Sequence, residues 1–148
     1  MSRQMPKTPD RPTPEDYRSA AALRAAVRQF LRRGERAARA AGLTPQRQLL
    51  LLMIKGAPDG SEQATVGELA ERMQLAPNTV TELIDRAEDA GLVLREGDAA
   101  DGRVVRLRVT WEGERRLAET VLALSADRHD LARRLSDLDL SETEPPTE

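Results

Sequence analysis

The sequence predicts a mainly α-helical fold that carries a small β-hairpin. Charged residues make up 32% and aromatic residues only 2% of its 148 residues, a composition typical of helical proteins and not of β-sandwiches. Apolar residues recur at steps of three and four through most of the chain, and this period changes to two only between Leu92 and Val109. The length suits one compact domain.

The two ends of the chain have the composition of disordered segments. Residues 1–14 contain four prolines among polar residues, and residues 141–148 are acidic and contain Pro145-Pro146. We therefore expect a single ordered domain over residues 15–140.

A long first helix is predicted from Glu15 to Ala41, where no proline interrupts the chain after Pro14. Its small and apolar residues form one stripe with heptad-like spacing: Ala20, Leu23, Val27, Phe30, Gly34, Ala37 and Ala41. Gly42 ends this helix, and Thr44-Pro45 supplies the cap and first position of the next. Because the segment from Leu49 to Ile54 is apolar on all sides, we expect the second helix to be buried all round.

Two short helices follow a polar loop that runs from Lys55 to Ala64. Thr65 and Glu68 have the spacing of a capping box at the start of the first helix. Pro77 starts the second helix, which runs to Ala90 and ends at Gly91. The three residues between the helices, 74–76, are typical of a helix-turn-helix.

A β-hairpin is predicted directly after this helix pair. Leu92 to Glu96 is a strand candidate, Gly97 to Gly102 a polar turn, and Val104 to Val109 alternates apolar residues with arginines. A hairpin in this position forms a wing. Residues 43–110 are therefore predicted to form a winged helix-turn-helix core, with long dimerisation helices on either side.

The remaining chain predicts one long helix capped by Thr110. Its stripe keeps steps of four and three for three heptads: Leu117, Val121, Leu124, Arg128, Leu131, Leu135 and Leu138. Such a helix would be roughly 40 Å long at ~1.5 Å per residue, too long to be buried by a domain of this size. A partner chain is the natural cover. The sequence thus predicts a homodimer with these interface residues: Leu23, Val27, Phe30, Leu117, Val121, Leu124, Leu131 and Leu135.

The composition argues against several classes of site. The chain has no cysteine, and His129 is its single histidine, so thiol redox sensing, disulfides and a Cys/His zinc site are not expected. Without a glycine-rich phosphate loop or a cluster of metal ligands, we predict no enzyme, no cofactor and no metal. No apolar run reaches the ~20 residues that cross a bilayer and no secretory signal is recognisable, which predicts a cytoplasmic protein without a membrane partner.

Three segments of the sequence carry a resemblance to a known family. They are Leu69-Ala70-Glu71-Arg72, residues 79–93 (TVTELIDRAEDAGLV) and residues 101–110 (DGRVVRLRVT). With this order and spacing, residues 20–135 closely resemble the MarR family of transcriptional regulators. The resemblance implies a homodimer that binds pseudo-palindromic double-stranded DNA, often as a repressor, and that small aromatic or anionic effectors often release. Arg24, Arg28 and Arg47 could meet an anionic effector, although a solvated arginine face explains them equally well.

The resemblance also assigns residues to a DNA interface. Five residues match the outward start of the recognition helix, which would enter the major groove: Pro77, Asn78, Thr79, Thr81 and Glu82. Arg103 matches the wing arginine placed in the adjacent minor groove, and Asp101 would hold its guanidinium. Thr65 and Arg95 complete the set. The alternatives are that Asn78 and Thr79 only begin a helix, and that Asp101 and Arg103 form a local ion pair.

The charge of the recognition helix departs from the family pattern. Between Ala76 and Ala90, Arg86 is the only base against four acids, Glu82, Asp85, Glu88 and Asp89, which opposes contact with phosphate. Affinity would then come from other cations: Arg47, Lys55, Arg95, Arg103, Arg106 and Arg108. Glu82 either accepts a hydrogen bond from a cytosine amino group or pairs with Arg86 four residues on. The alternative function is a winged-helix protein-interaction dimer that no longer binds DNA.

Overall fold

The computed structural model describes residues 11–140, with side chains through Leu138. Six helices and three strands follow one another along these residues: α1 (Pro14–Ala40), α2 (Pro45–Lys55), β1 (Gln63–Ala64), α3 (Val66–Met73), α4 (Pro77–Asp89), β2 (Val93–Gly97), β3 (Val105–Val109), α5 (Trp111–Ala123) and α6 (Ser125–Leu140). The prediction of a mainly helical fold with a small β-wing is confirmed. The end segments predicted to be disordered lie outside the described residues, except for 11–14, where α1 begins.

Three helices begin at threonines whose hydroxyls accept a hydrogen bond from the first helical turn. The Thr44 hydroxyl accepts from the amide three residues on at 3.2 Å, and the Thr110 hydroxyl does the same at 3.1 Å. Thr65 and Glu68 exchange two bonds of 3.3 Å and form the predicted capping box. These bonds satisfy amides that lack an intrahelical partner. Since α2, α3 and α5 begin directly after these threonines, their predicted starts are confirmed.

The described chain divides into two compact units, and the larger one comprises residues 32–125. At its centre lies α2, which contacts α3, α4, α5 and β3 and buries Leu50, Leu51 and Ile54 completely. Leu49 is 37% exposed. The prediction that α2 is buried on all sides is therefore wrong at Leu49, because the neighbouring elements cover only part of the circumference of the helix.

A three-stranded antiparallel sheet completes this unit, in the order β1-β3-β2. Val93 pairs with Val109 and Arg95 with Leu107 in the hairpin, and Ala64 pairs with Leu107 from the other side. The strand β1 lies at the end of the segment predicted as a loop, and two residues are too few to show a strand period. The hairpin is thus anchored to the chain that leads into α3.

The smaller unit contains α1 up to Leu31 together with residues 126–140 of α6. Ala26 is buried within it at 8% exposure. Several of its larger apolar side chains are exposed, at 38–64% of their surface: Tyr17, Leu23, Leu31 and Leu135.

The chain after Thr110 differs from its prediction. It forms two helices and not one, because α5 ends at Ala123 and the backbone of the next residue, Leu124, leaves the helical region at φ −95° and ψ 4°. The Leu124 side chain is 7% exposed and lies 3.8 Å from the Cβ position of Gly34. Leu117 is 3% exposed and belongs to the core of the larger unit. The prediction that Leu117 and Leu124 face a partner chain is therefore wrong, because their own chain already covers both.

Candidate nucleic-acid interface

A left-handed residue closes the turn between α3 and α4. Gln74 has φ 55° and ψ 45°, and its amide and that of Leu75 donate to carbonyls in the last turn of α3, at 3.2 and 3.1 Å. These bonds satisfy carbonyls that the end of a helix leaves free. Leu75 is half-buried against the core, and Pro77 then starts α4. The turn between the two helices is therefore closed by hydrogen bonds between residues that are close together in the sequence.

The inner face of α4 determines which of its side chains point outward. Its buried residues are Val80, Leu83, Ile84 and Ala87. The five residues predicted to meet DNA from this helix are all exposed: Pro77, Asn78, Thr79, Thr81 and Glu82. The Thr81 hydroxyl donates to the Pro77 carbonyl at 3.0 Å. Among residues 11–138, the side chains of Asn78, Thr79 and Glu82 have no hydrogen-bond or ion-pair partner.

One of the two alternatives for Glu82 is not realised. Glu82 and Arg86 stand four residues apart on α4, yet they form no ion pair, and neither side chain pairs with another described residue. The carboxylate of Glu82 is therefore exposed and uncompensated on the outward face of the helix.

Hydrogen bonds of the acidic side chains shape the turn of the wing. Asp98 accepts from the Ala100 amide at 2.8 Å and from the Arg106 guanidinium at 3.2 Å. These bonds, the amide first, hold the pKa of Asp98 below its ordinary value. The backbone closes the turn through the Asp98 amide, which donates to the Val104 carbonyl at 3.0 Å.

Asp101 holds the backbone of Arg103 and not its guanidinium. The Asp101 carboxylate accepts a hydrogen bond from the Arg103 amide at 3.0 Å. The expectation that Asp101 orients the guanidinium, and the alternative of a local ion pair, both differ from this geometry. Arg103 is exposed, and its guanidinium has no partner in the described part of the chain. The wing therefore presents a free cation at its tip.

Most of the cations expected to supply affinity are instead paired with carboxylates. Lys55 contacts Glu62 at 2.9 Å and Glu114 at 3.1 Å, and these hydrogen bonds, that to Glu62 first, raise the pKa of Lys55. The wing pairs are Arg106 with Asp98 at 3.2 Å and Arg108 with Glu96 at 3.4 Å. Of the six cations named from the sequence, Arg47 and Arg103 alone have no carboxylate partner among residues 11–138.

Two further predicted interface residues make intramolecular contacts. Thr65 is half-buried and serves the capping box of α3. Arg95 donates from Nη2 to Asp85 Oδ1 at 2.5 Å and from Nη1 to Glu88 Oε1 at 2.6 Å. Hydrogen bonding to Asp85 is the main cause that raises the pKa of Arg95. The count of charges along α4 predicts only repulsion from these two acids. The signal for the pairing is an arginine on the strand after α4, together with two acids spaced three residues apart on that helix.

Other features of the described chain add little to the site. No group of three or more metal-binding side chains occurs among residues 11–138, and no helix within residues 11–140 is long and apolar enough to cross a membrane. The smaller unit has a cavity of about 260 Å³ lined by Ala22, Ala26, Arg134, Asp137 and Leu138.

Comparison with known proteins agrees with this architecture. The sequence model of the MarR family matches residues 41–104. The HTH-type transcriptional repressor MdtR of Bacillus subtilis is 36% identical over 97 residues, which is 66% of this chain and 58% of that protein. The uncharacterized HTH-type transcriptional regulator YsmB of the same organism is 39% identical over 77 residues, 52% of this chain and 53% of that protein. The chain thus spans between half and three-fifths of the length of these relatives.

Solved structures show the same fold. The structure of a mutant MarR from E. coli complexed with operator DNA superposes with a TM-score of 0.65 at 18% identity, covering 88% of this chain and 96% of that one. The relatives named above are transcriptional regulators and not enzymes. The chain therefore resembles the MarR family in sequence over residues 41–104, and it shares the winged helix-turn-helix fold of the MarR structure over most of its length.

Proposed function

We propose that this protein represses transcription by binding, as a homodimer, to pseudo-palindromic double-stranded DNA. One observation carries the proposal: α4 turns a row of unpartnered polar side chains outward while its opposite face is buried in the core. The relative MdtR is named a repressor, and the MarR structure of the same fold contains operator DNA. Both relatives support the proposal by similarity.

The proposed contacts follow from the chemistry of the two grooves. Asn78 and Thr79 stand in the first turn of α4, where short side chains reach base edges in the major groove, and an asparagine suits the paired donor and acceptor of adenine. The free guanidinium of Arg103 suits the narrow minor groove of A·T-rich DNA, where negative potential is strongest. Together these residues would read one half-site.

The homodimer is proposed from the exposed apolar residues of the smaller unit. Leu23 and Leu135 are 38% and 40% exposed, and both belong to the stripes that predicted an interface. The remaining interface candidates in the stripes, Val27, Phe30, Val121 and Leu131, are half-buried. A two-fold dimer would place two recognition helices on two half-sites, which matches a pseudo-palindrome. Binding of a small anionic or aromatic effector stays a proposal, and the cavity beside Arg134 is its candidate place.

Selection from a random pool followed by footprinting tests the proposed function. The purified full chain selects duplexes from a random-sequence pool, and the selected duplex is then footprinted. We expect two protected half-sites centred about 10 base pairs apart or a multiple of that distance. A dimeric protein that enriches no sequence would instead support the alternative of a protein-interaction dimer.

Replacing Leu135 by glutamate should produce monomers. Its side chain is 40% exposed in the protomer, so the charge leaves the fold of the chain intact but places an unpaired carboxylate in the proposed interface, which is costly. Sedimentation velocity at micromolar concentration measures the change. The matched control is Ser136→Glu, an exposed neighbour on the same helix outside the stripe, which should stay dimeric. A dimeric Leu135→Glu protein would remove this part of α6 from the interface.

Replacing Glu82 by glutamine should lower the discrimination between selected and random DNA. The unpartnered carboxylate repels phosphate on any duplex, whereas a cytosine at the correct position donates its amino group and compensates the charge. Glutamine keeps the shape and removes the charge. We therefore expect tighter binding to random duplex and a smaller ratio of selected to random affinity, with both titrations at the same salt concentration.

The matched control for this experiment is Asp89→Asn. Asp89 is another exposed acid of α4 and stands at its last position, away from the first two turns that would enter the groove. Its replacement should change both affinities in parallel. An unchanged affinity ratio in Glu82→Gln would show that Glu82 does not discriminate between bases.

A further inference from the structure

Arg95 forms a two-carboxylate clamp between the wing and the recognition helix. Its Nη2 lies 2.5 Å from Asp85 Oδ1 and its Nη1 lies 2.6 Å from Glu88 Oε1. The two acids are three residues apart on α4, so they share a face of that helix. Arg95 stands on β2, and each nitrogen bonds a different carboxylate. The two ends of this contact are therefore the strand that carries the wing and the helix proposed to enter the major groove.

The backbone position of Arg95 is fixed from the core. Arg95 is paired across the sheet with Leu107, which is fully buried. Asp85 adjoins Ile84, which is also fully buried. The clamp thus joins two elements that are each held to the core by a buried residue. Its three side chains are 35–57% exposed, so salt and solvent reach them.

The clamp also changes the charge that α4 shows to its surroundings. Of the four acids on this helix, Asp85 and Glu88 are compensated by Arg95, while Glu82 remains without a partner. Without Arg95, two more carboxylates would stand uncompensated on the helix. Each would add repulsion toward phosphate.

We propose that Arg95 is a positioning residue for DNA recognition, which holds the wing at a fixed place relative to α4 and neutralises Asp85 and Glu88. This inference rests on the proposed function. In this arrangement Arg95 does not bind phosphate, because its guanidinium is engaged by two carboxylates. The spacing between Arg103 in the wing and the outward residues of α4 depends on the clamp.

A double-mutant cycle distinguishes the clamp from a direct phosphate contact. Arg95→Ala is made in the wild type and in the Asp85→Asn/Glu88→Gln background, and binding to the selected duplex is titrated over a range of salt. We expect Arg95→Ala to weaken binding about tenfold or more in the wild type and less than about twofold in the neutral background, since neighbours in one network do not act independently. The slope of log affinity against log salt should change little in the wild-type background.

A direct contact predicts a different result. Arg95→Ala would then weaken binding equally in both backgrounds and reduce the salt slope by about 1. That outcome overturns the clamp. The matched control is Arg108→Ala, which removes a strand arginine that pairs with Glu96 and not with α4. Its effect on binding should be the same in the wild type and in the Asp85→Asn/Glu88→Gln background.

A measurement without DNA separates this inference from the proposed function. Hydrogen exchange of the amides in residues 98–104 reports how firmly the wing is held. We expect exchange there to be faster in Arg95→Ala than in the wild type and in Arg108→Ala, with thermal unfolding used to confirm that all three proteins are folded. Equal exchange in the three proteins would overturn the clamp. A wild type that selects no DNA would overturn the proposed function and leave the exchange result valid.

Discussion

Replacing Gly113 by alanine is expected to destabilise the protein by about 1–3 kcal/mol, because an added methyl group has no room. A Cβ built at this position meets the carbonyl oxygen of Leu92 and lies 2.8 Å from Val109 Cγ1. The Leu92 carbonyl is fixed, since it accepts the Thr110 amide at 3.0 Å. The start of α5 must therefore move away from Leu92 and Val109. Thermal unfolding followed by circular dichroism would show a lower Tm.

A second glycine provides the matched control. Gly67 lies in the first turn of α3, and a Cβ there would come no nearer than 4.0 Å to the Thr65 hydroxyl. Because alanine loses less conformational freedom than glycine on forming a helix, Gly67→Ala should raise stability by about 0.5–1 kcal/mol. The opposite signs of the two substitutions are the expected result. A Gly113→Ala protein as stable as the wild type would show that α5 has space at this contact.

Replacing Arg103 by alanine is expected to weaken binding to the selected duplex by about 1–3 kcal/mol while leaving the helix content unchanged. The Arg103 side chain is exposed and its guanidinium has no partner among residues 11–138, so its removal breaks no hydrogen bond or ion pair within the described chain. The Arg103 amide continues to hold the wing turn through Asp101. The loss would therefore come from the minor groove. Gel-shift or anisotropy titration measures it.

Lysine at the same position separates charge from shape. Arg103→Lys keeps the positive charge but loses the planar fork and is more strongly hydrated. We expect it to keep the salt slope of the wild type and to recover only part of the affinity lost in Arg103→Ala. If the alanine variant binds with an unaltered midpoint, the wing has no part in recognition.

Local chemistry explains which parts of the fold could be predicted from the sequence. The starts of α2, α3 and α5 depend on threonine hydroxyls that bond an amide three residues away, so each start is encoded within four residues. The turn after Met73 and the wing after Gly91 are similarly local. These elements lie within one to two residues of where the sequence predicted them.

The parts that were not predicted depend on residues distant in sequence. The strand β1 exists because β3 pairs with it, and its two residues carry no period of their own. The break at Leu124 turns that leucine toward Gly34, which no pattern along α5 and α6 can show. At the candidate site, the exposed residues of α4 could be recognised from the sequence. The pairing of Arg95 with Asp85 and Glu88 was not predicted, because a count of charges along α4 does not say which acid meets which base.

The position of β1 also has a consequence for the order of folding. Ala64 pairs with Leu107 across the sheet, and the whole helix-turn-helix lies between these two residues along the chain. Closing a loop of this length costs conformational entropy before the contacts that offset this cost have formed, whereas the helices and the hairpin form from residues that are near in sequence. The joining of β1 to β3 should therefore be a late event, after α3 and α4 have packed. During synthesis, a chain that has emerged only as far as β2 would already contain α4 but not β3, the central strand of the sheet.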